Sequence, residues 1–133
     1  MADQHGKDTV IKSGSTDISA FCDASEYTGG ADVHDKTTYG NAGHRRRGGL
    51  FDGGFKMSGI YDTGASGTPK KLFDGQEGTT FALTRRPEGT GAGKPQHVFN
   101  AVLSQYVETS PVADIVRWST EWQIDGVVDR TPQ

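Results

Sequence analysis

The sequence predicts a mainly β fold with one short helix and a long loop between strands. Residues 96–108 and 114–125 alternate as strands do, with successive side chains directed to opposite faces. The 19 glycines favour turns and loops over helices. Almost no segment repeats its apolar residues with a helical period, so a helix is expected at one place only.

The composition indicates a small folded unit with a thin core. At 133 residues the chain is expected to be one domain, residues 1–133, with residues 1–7 as a flexible arm. Hydrophobic residues make up 32% of it, below the roughly 45–50% of an average globular protein. The net charge of −3 is too small to indicate disorder. We therefore expect a folded protomer that gains stability by oligomerising.

The first part of the chain is predicted to form short strands joined by turns. Residues 8–12 favour a strand, and the Ser-Gly-Ser sequence at 13–15 favours a turn, so a hairpin is expected. Residues 16–22 are predicted as its second strand. Residues 23–30 end in two adjacent glycines and are predicted as a turn with a bulge.

A long polar excursion follows between two further strand-like runs. Residues 31–39 lead into it, and residues 54–61 lead out of it with Phe55, Met57 and Tyr61 on one face. The residues between them are rich in glycine and arginine and too numerous for a tight hairpin. A connection of this length without structure of its own usually carries function or becomes ordered against a partner.

The only helix is predicted at residues 68–77. Thr68 is suited to the N-cap and Pro69 to the first helical position, and a following glycine would end the helix. Residues 79–86 alternate as a strand that ends in two arginines, and residues 87–95 form a second glycine-rich loop.

The two long alternating segments are expected to dominate the sheet. Residues 96–108 carry apolar side chains on both faces, as in a central strand or one covered by a neighbouring subunit, so both segments could extend a sheet between subunits. Trp118 and Trp122 share one face with apolar neighbours, which predicts core or interface anchors rather than a ligand-stacking role. Phe55 and Tyr61 are placed in the same class.

No pattern predicts a catalytic, cofactor or metal site. The loop at 87–95 fails as a P-loop, because Pro95 stands where a magnesium-binding Ser or Thr is required. The four histidines lie too far apart in sequence to indicate zinc. Cys22 is the only cysteine, which excludes an internal disulfide, and it is expected to be a small buried residue. No apolar stretch has membrane-spanning length, so we expect a cytoplasmic protein. Because no pattern predicts a catalytic site, we also expect that the protein is not an enzyme.

One dense cluster of basic residues lies in the excursion, at residues 44–47. It could neutralise phosphates, yet it has no interleaved aromatic residues of the kind that single-strand binders use, and the chain as a whole is acidic. An ion-pairing patch against acidic residues of a neighbouring subunit is the favoured interpretation. Nucleic-acid contact and a plain solvated surface remain the alternatives.

The order of several short motifs resembles the small tail tube, or major tail, proteins of long-tailed bacteriophages. The matching segments are T-D-I-S-A-F at 16–21, D-K-T-T-Y-G at 35–40, G-G-L-F-D-G-G-F-K-M-S-G-I-Y-D at 48–62 and S-P-V-A-D-I-V-R-W-S-T-E-W-Q-I-D-G at 110–126. The first of these segments begins at residue 16 and the last ends at residue 126, so they are spread over most of the chain. Lys56 stands where the family often has serine, and Arg45 to Arg47 are more basic than the family pattern.

This resemblance implies an antiparallel β-sandwich or barrel with one flanking helix, and a structural protein of the virion tail made in the host cytoplasm. Such protomers close into hexameric rings that stack into a hollow tube for DNA. The implied partners are further copies of the chain and the tape measure, tail terminator and tail-tip proteins, with transient passage of DNA and no cofactor. The residues expected to contact neighbouring rings or subunits are Tyr39, Asn41, His44, Arg45, Arg46, Arg47, Leu50, Phe51 and Asp52.

Two other roles remain open at this point. A capsid decoration or head-completion protein is also a small β-rich assembly unit, and a shared fold does not exclude it. A small β-barrel ligand-binding module would need an exposed aromatic platform, for which Trp118 and Trp122 are the only dense candidates.

Overall fold

The computed structural model describes residues 3–133 and is built around one large antiparallel sheet. The strands are β1 (Val10–Ser13), β2 (Thr16–Asp17), β3 (Cys22–Thr28), β4 (Ala31–Asp35), β5 (Arg46–Phe51), β6 (Gly54–Ile60), β7 (Thr80–Arg86), β8 (His97–Thr109) and β9 (Arg117–Asp129), and the helix is α1 (Pro69–Phe73). The seven strands of the large sheet are ordered β2-β1-β7-β8-β9-β6-β3, and β4 and β5 form a separate two-stranded sheet.

The large sheet curls until its two ends approach each other. A single 3-10 helical turn, Ser19–Phe21, connects the β1–β2 end to β3, which is the strand at the opposite end of the sheet. The amide of Ile11 donates to the Ser19 hydroxyl at 2.8 Å, and the amide of Ile18 donates to the Ile11 carbonyl at 3.0 Å. The result is a barrel that stays open between β1 and β3. The predicted antiparallel β-sandwich or barrel fold is confirmed.

The core fills this barrel with large aromatic and aliphatic side chains. Trp118, Trp122 and Phe55 are almost completely buried, and Phe73 of α1 packs edge-to-face on Trp122 with ring centroids 5.1 Å apart. The short helix therefore covers one side of the barrel interior. The other buried hydrophobic residues are Ile11, Ile18, Met57, Leu83, Phe99, Ala101, Leu103 and Val128.

The helix begins as predicted and ends earlier. Thr68 occupies the N-cap position and Pro69 the first helical position, but the helix ends at Phe73 rather than near residue 77. Asp74 leaves helical geometry, and Gly75 adopts a positive φ of 77°, a conformation that glycine adopts without steric cost.

Two predictions near the N-terminus are wrong. Residues 16–22 do not form one strand, because the Asp17 carboxylate accepts hydrogen bonds from the Ser19 amide at 2.9 Å and hydroxyl at 2.6 Å, and this local turn ends β2. Residues 23–30 are not mainly a turn, because β3 (Cys22–Thr28) pairs along its length with β6. A bulge does occur, between Cys22 and Ala24.

The excursion also differs from prediction. It is not a long loop without structure, because β4 and β5 pair antiparallel and bring Asp35 opposite Arg46 and His34 opposite Arg47. The irregular part is reduced to the connection at residues 36–45. β5 was not predicted, because it contains two adjacent glycines at 48 and 49 and glycine is depleted in strands.

The long strands are confirmed with shifted ends. β9 begins at Arg117 rather than Asp114, because residues 111–114 form a turn in which the Asp114 carboxylate accepts from the Ile115 amide at 2.7 Å. Both strands are central, since β8 lies between β7 and β9, and β9 between β8 and β6. Residues 96–108 and 114–125 were expected to extend a sheet between subunits. Along most of their length both edges of these strands are already paired within the protomer, so they cannot do so as whole strands. Within residues 3–133, no helix has the length and apolar character that crossing a bilayer requires.

The predicted N-terminal arm, residues 1–7, is described from residue 3 onward. Met1 and Ala2 lie outside the described residues. Gly6–Asp8 form a 3-10 helical turn, and the His5 side chain accepts a hydrogen bond from the Lys7 amide. A flexible arm stays a prediction.

Candidate assembly surface

The β4–β5 hairpin projects from the barrel with almost no core of its own. Every residue from 31 to 50 is exposed, including Val33, Tyr39 and Leu50, whose exposed fractions are 62%, 106% and 80%. Apolar side chains at these exposures gain nothing from the fold of the protomer. The hairpin is therefore a candidate surface for contact with another molecule.

The base of the hairpin is fixed to the barrel by close backbone contacts. The Asp52 amide donates to the Gly30 carbonyl at 2.8 Å, and the Ile124 amide donates to the Gly53 carbonyl at 3.0 Å. A Cβ on residue 30 would lie 2.7 Å from the Asp52 carbonyl oxygen. The two segments of backbone can therefore come this close only because residue 30 is glycine. This rigid base sets the direction in which the hairpin projects.

Local hydrogen bonds also shape the end of the hairpin. The Arg45 amide donates to the Thr37 hydroxyl at 2.8 Å, and the Lys36 amide donates to the Arg45 carbonyl at 2.8 Å. The Thr37 amide donates to Asp35 at 2.8 Å, and hydrogen bonding by Thr37 lowers the pKa of the Asp35 carboxyl. His44 lies 3.9 Å from the same carboxylate. These contacts place Arg45 where the chain turns back into β5.

The three arginines of the hairpin have no acidic partner within the described part of the chain. Arg45, Arg46 and Arg47 are exposed, and the ion pairs of residues 3–133 involve other basic groups: His44 with Asp35, Lys56 with Glu121 and Arg117 with Asp23. Guanidinium groups bind carboxylates in a bidentate manner, so the three are free to bind an acidic surface of another molecule.

The other residues predicted for the contact surface divide between the tip and the base of the hairpin. Tyr39 is fully exposed near the tip, and the Asn41 side chain donates to the Thr38 carbonyl at 3.1 Å. Phe51 is partly buried against the core, and Asp52 lies in the base described above. The contact roles of all nine residues stay predictions.

The four predicted anchors occupy different environments. Phe55, Trp118 and Trp122 are buried, whereas Tyr61 is half-buried at the surface, with the Lys70 ammonium 5.1 Å from its ring centroid. Tyr61 therefore has an exposed side on which a neighbour could pack.

Few features of the described residues suggest reaction chemistry. Within residues 3–133 no group of three or more His, Cys, Asp or Glu side chains is arranged to hold a metal ion. Cys22 is half-buried, and burial raises the pKa of its thiol to about 12, which removes its nucleophilic character at neutral pH.

Sequence reasoning missed a polar cluster at one end of the barrel, formed by Tyr27, Arg85, His97 and Arg130. The signal was visible in β7, where Arg85 follows Phe81 and Leu83 on the same face of the strand. An arginine at a core-facing position of a strand is unusual, and this one indicates a polar cluster at the end of the barrel.

Comparison with solved structures gives a consistent result for the whole chain. The tail of an empty gene transfer agent particle with C6 symmetry contains a chain that matches 97% of this one over 99% of its own length, with a TM-score of 0.77 and 13% identity. The chain has a tail tube fold. The SPP1 tail tube chain also matches, with a TM-score of 0.77 and 13% identity over 98% of this chain and 80% of that one.

The tail tube fold extends to a contractile system as well. A chain from the sheath–tube complex of the extracellular contractile injection system PVC matches 98% of this chain and 93% of its own length, with a TM-score of 0.72 and 14% identity. No protein-family model matches the chain, and no curated protein is a significant match. The fold is thus shared with these structures at low sequence identity.

Proposed function

We propose that this chain is a structural virion protein whose copies close into hexameric rings, and that the rings stack into the hollow tail tube that conducts DNA into the host. The observation that carries the proposal is the match along nearly the full chain to tail and tube assemblies, one of them with C6 symmetry.

The protomer itself supports self-assembly. β3 (Cys22–Thr28) is an edge strand of seven residues and pairs with β6 alone. Residues 105–109 of β8 extend beyond the part that pairs with β7. Residues 125–129 of β9 extend beyond the part that pairs with β6 and with Gly53. Unpaired strand edges of this length form sheets with other chains unless they are protected. Closure of a ring would pair them.

The hairpin supports contact between rings. It exposes apolar side chains and three arginines that have no acidic partner within residues 3–133. A partner outside the protomer could bury the apolar side chains and pair the arginines. In the proposed tube, Tyr39, Asn41, Leu50 and residues 44–47 bind an acidic and apolar surface of a neighbouring subunit. Heterologous contacts of this kind produce open stacks rather than closed dimers.

The role is mechanical and electrostatic, without turnover or cofactor. The further partners are the tape measure, tail terminator and tail-tip proteins, and the chain would be made in the host cytoplasm before it enters the virion tail. The structures described above are tail and tube assemblies, which gives no support to capsid decoration, head completion or ligand binding.

Sedimentation velocity across a range of protein concentrations tests the proposal. A tube protein has a threshold concentration above which large polymers form at the expense of protomers. We expect this threshold, with polymers that grow on further concentration. A single species of monomer or trimer size at all concentrations would contradict the proposal and favour a decoration protein.

A further inference from the structure

The interior of the barrel changes character at one end. Phe81 and Leu83 of β7 face the core, and Arg85 follows them on the same side of the strand. Opposite Arg85 in the register lies His97, the first residue of β8, which precedes the buried Phe99 and Ala101 on its own core-facing side. The last layer of the barrel interior is therefore polar, while the layers beneath it are apolar.

Two further side chains complete this layer. The Tyr27 ring of β3 stacks on the His97 ring, with centroids 4.6 Å apart and an angle of 25° between the planes. The Arg130 guanidinium donates to the Tyr27 hydroxyl at 3.0 Å. The layer thus combines two guanidinium groups with a phenol and an imidazole, and burial together with the nearby Arg85 and Arg130 cations lowers the pKa of His97.

Two nitrogen atoms of the layer lack hydrogen-bond partners within the described residues. The Arg85 Nε and His97 Nδ1 atoms are buried and have no partner in residues 3–133. Buried polar atoms normally have a hydrogen-bond partner. Arg85 as a whole is half-buried and lines an open cleft, so a group from outside the protomer can reach its guanidinium.

The nearby carboxylates are bound elsewhere. Asp23 lines the same cleft as Arg85 but pairs with Arg117 and accepts a hydrogen bond from the Ser58 hydroxyl at 3.3 Å. Asp129, at the end of β9, accepts hydrogen bonds from the Thr131 amide at 2.9 Å and hydroxyl at 2.6 Å. Neither is hydrogen-bonded or ion-paired with Arg85.

The gap in the barrel gives access to Arg85. A cleft of about 300 Å³ opens between β1 and β3, and Arg85 lines it together with Thr9, Ile11, Cys22 and Ser25. Its volume can accept a side chain of aspartate or glutamate size. One of its walls is β3, whose outer edge is unpaired and open to a second chain.

We infer that this cleft is a carboxylate-binding site in which Arg85, supported by His97 and Tyr27, receives an aspartate or glutamate side chain of a second copy of this chain. A planar guanidinium fits a carboxylate with two parallel hydrogen bonds. The chain supplies 17 acidic residues against 14 basic ones, so copies of it carry many candidate carboxylates. The identity of the occupant rests on the proposed self-assembly, whereas the site itself does not.

The site can be tested on the protomer alone, below the assembly threshold. Sodium acetate is titrated into isotope-labelled protein, and the His97 ring signals are followed by NMR, with sodium chloride at equal ionic strength as the control. Acetate should shift the His97 signals in the wild type and in Arg86→Gln but not in Arg85→Gln. Arg86 is the matched control, because it loses the same charge from the adjacent position and its side chain is bound to Gln96 and Thr90 instead.

Two outcomes of this titration would overturn the site: equal shifts in Arg85→Gln, or equal shifts with chloride. A short DNA oligonucleotide that shifts the same signals more strongly than acetate would overturn the assignment to a carboxylate. Thermal unfolding checks that Arg85→Gln is folded. Its melting temperature should stay near the wild-type value, because Arg85 has no ion-pair partner within residues 3–133.

The occupant is tested by assembly. Arg85→Gln should raise the concentration required for polymer formation by about tenfold, the effect of one lost charge-assisted contact, whereas Arg86→Gln should leave it near the wild-type value. Acetate binding without any change in assembly would refute a second copy as the occupant. Absence of polymers in the wild type would count against the proposed function and the second copy, and the acetate titration would still decide the site.

Discussion

Aromatic packing around Phe73, Trp118 and Trp122 holds the helix against the barrel. Phe73 lies at 5.1 Å from Trp122 and 6.4 Å from Trp118, measured between ring centroids, and Trp122 also packs edge-to-face on Phe81 at 5.5 Å. The Trp122 indole donates to the Thr120 hydroxyl at 2.8 Å, so its polar atom is satisfied in the core.

Trp122→Ala should therefore lower the free energy of unfolding by about 3 to 5 kcal/mol, the cost of a large cavity in a packed core. Chemical denaturation followed by circular dichroism measures this change. Val112→Ala serves as the control, because Val112 is fully exposed and should change stability by less than about 0.5 kcal/mol. Equal effects in the two variants would mean that Trp122 is not part of the core.

Gly59 lies where two segments of backbone come close together. A Cβ at this position would overlap the Phe21 carbonyl oxygen, which also accepts a hydrogen bond from the Trp118 indole at 3.3 Å. Gly59→Ala should destabilise the protomer by at least about 2 kcal/mol, because backbone must move to admit the methyl group. The control is Gly48→Ala in β5, where a Cβ meets no atom within 4 Å. Comparable melting temperatures for the two variants would contradict this account.

The Asp17 carboxylate makes the stability of the protomer fall at acidic pH. Its pKa is lowered, mainly by the hydrogen bond from the Ser19 hydroxyl, so its stabilising effect is present above its unfolded pKa of about 4 and is lost as the pH falls through the folded value. Asp17→Asn should be less stable than the wild type at pH 7, and the difference should shrink below about pH 4. Thermal melts at several pH values measure it, and a difference that is constant with pH would contradict the assignment.

At the scale of elements, the β4–β5 hairpin is the part least involved in the stability of the protomer. Replacing Arg45, Arg46 and Arg47 with serine should leave the melting temperature of the protomer almost unchanged and weaken the stacking of rings. The control replaces Lys7, Lys71 and Lys94 with serine, which removes the same charge outside the hairpin. Quantitative pelleting of polymers compares the variants. Unchanged assembly of the arginine variant would exclude the stacking role.

The elements also show what the sequence could predict. The alternation in β8 and β9 was readable because their core-facing positions carry Phe99, Leu103, Trp118 and Trp122. β3 was missed, because residues such as Asp23 and Ser25 favour turns in isolation and the pairing with β6 overrides that preference. β5 was missed because its glycines lower its strand propensity. The strand that pairs with a given segment can lie far away in the sequence, and local propensity does not predict which strands pair.

At the scale of the molecule, the β-sandwich or barrel class was predicted from the family resemblance, whereas the open gap of the barrel was not. The gap depends on the turn at Ser19–Phe21, which ends the β1–β2 hairpin and crosses the end of the sheet at Gly59. The exposed arginines of the hairpin could be read directly from the sequence. The Arg85 site could not, because Tyr27, His97 and Arg130 meet it only after the sheet has curled.

The central claim is that copies of this chain form a hollow tube, and negative-stain electron microscopy of the concentrated protein tests it most directly. The account predicts long rods of uniform diameter with a stain-filled channel, and end-on views with sixfold symmetry. A field of separate particles of monomer or trimer size, at concentrations well above those of the sedimentation experiments, would contradict it.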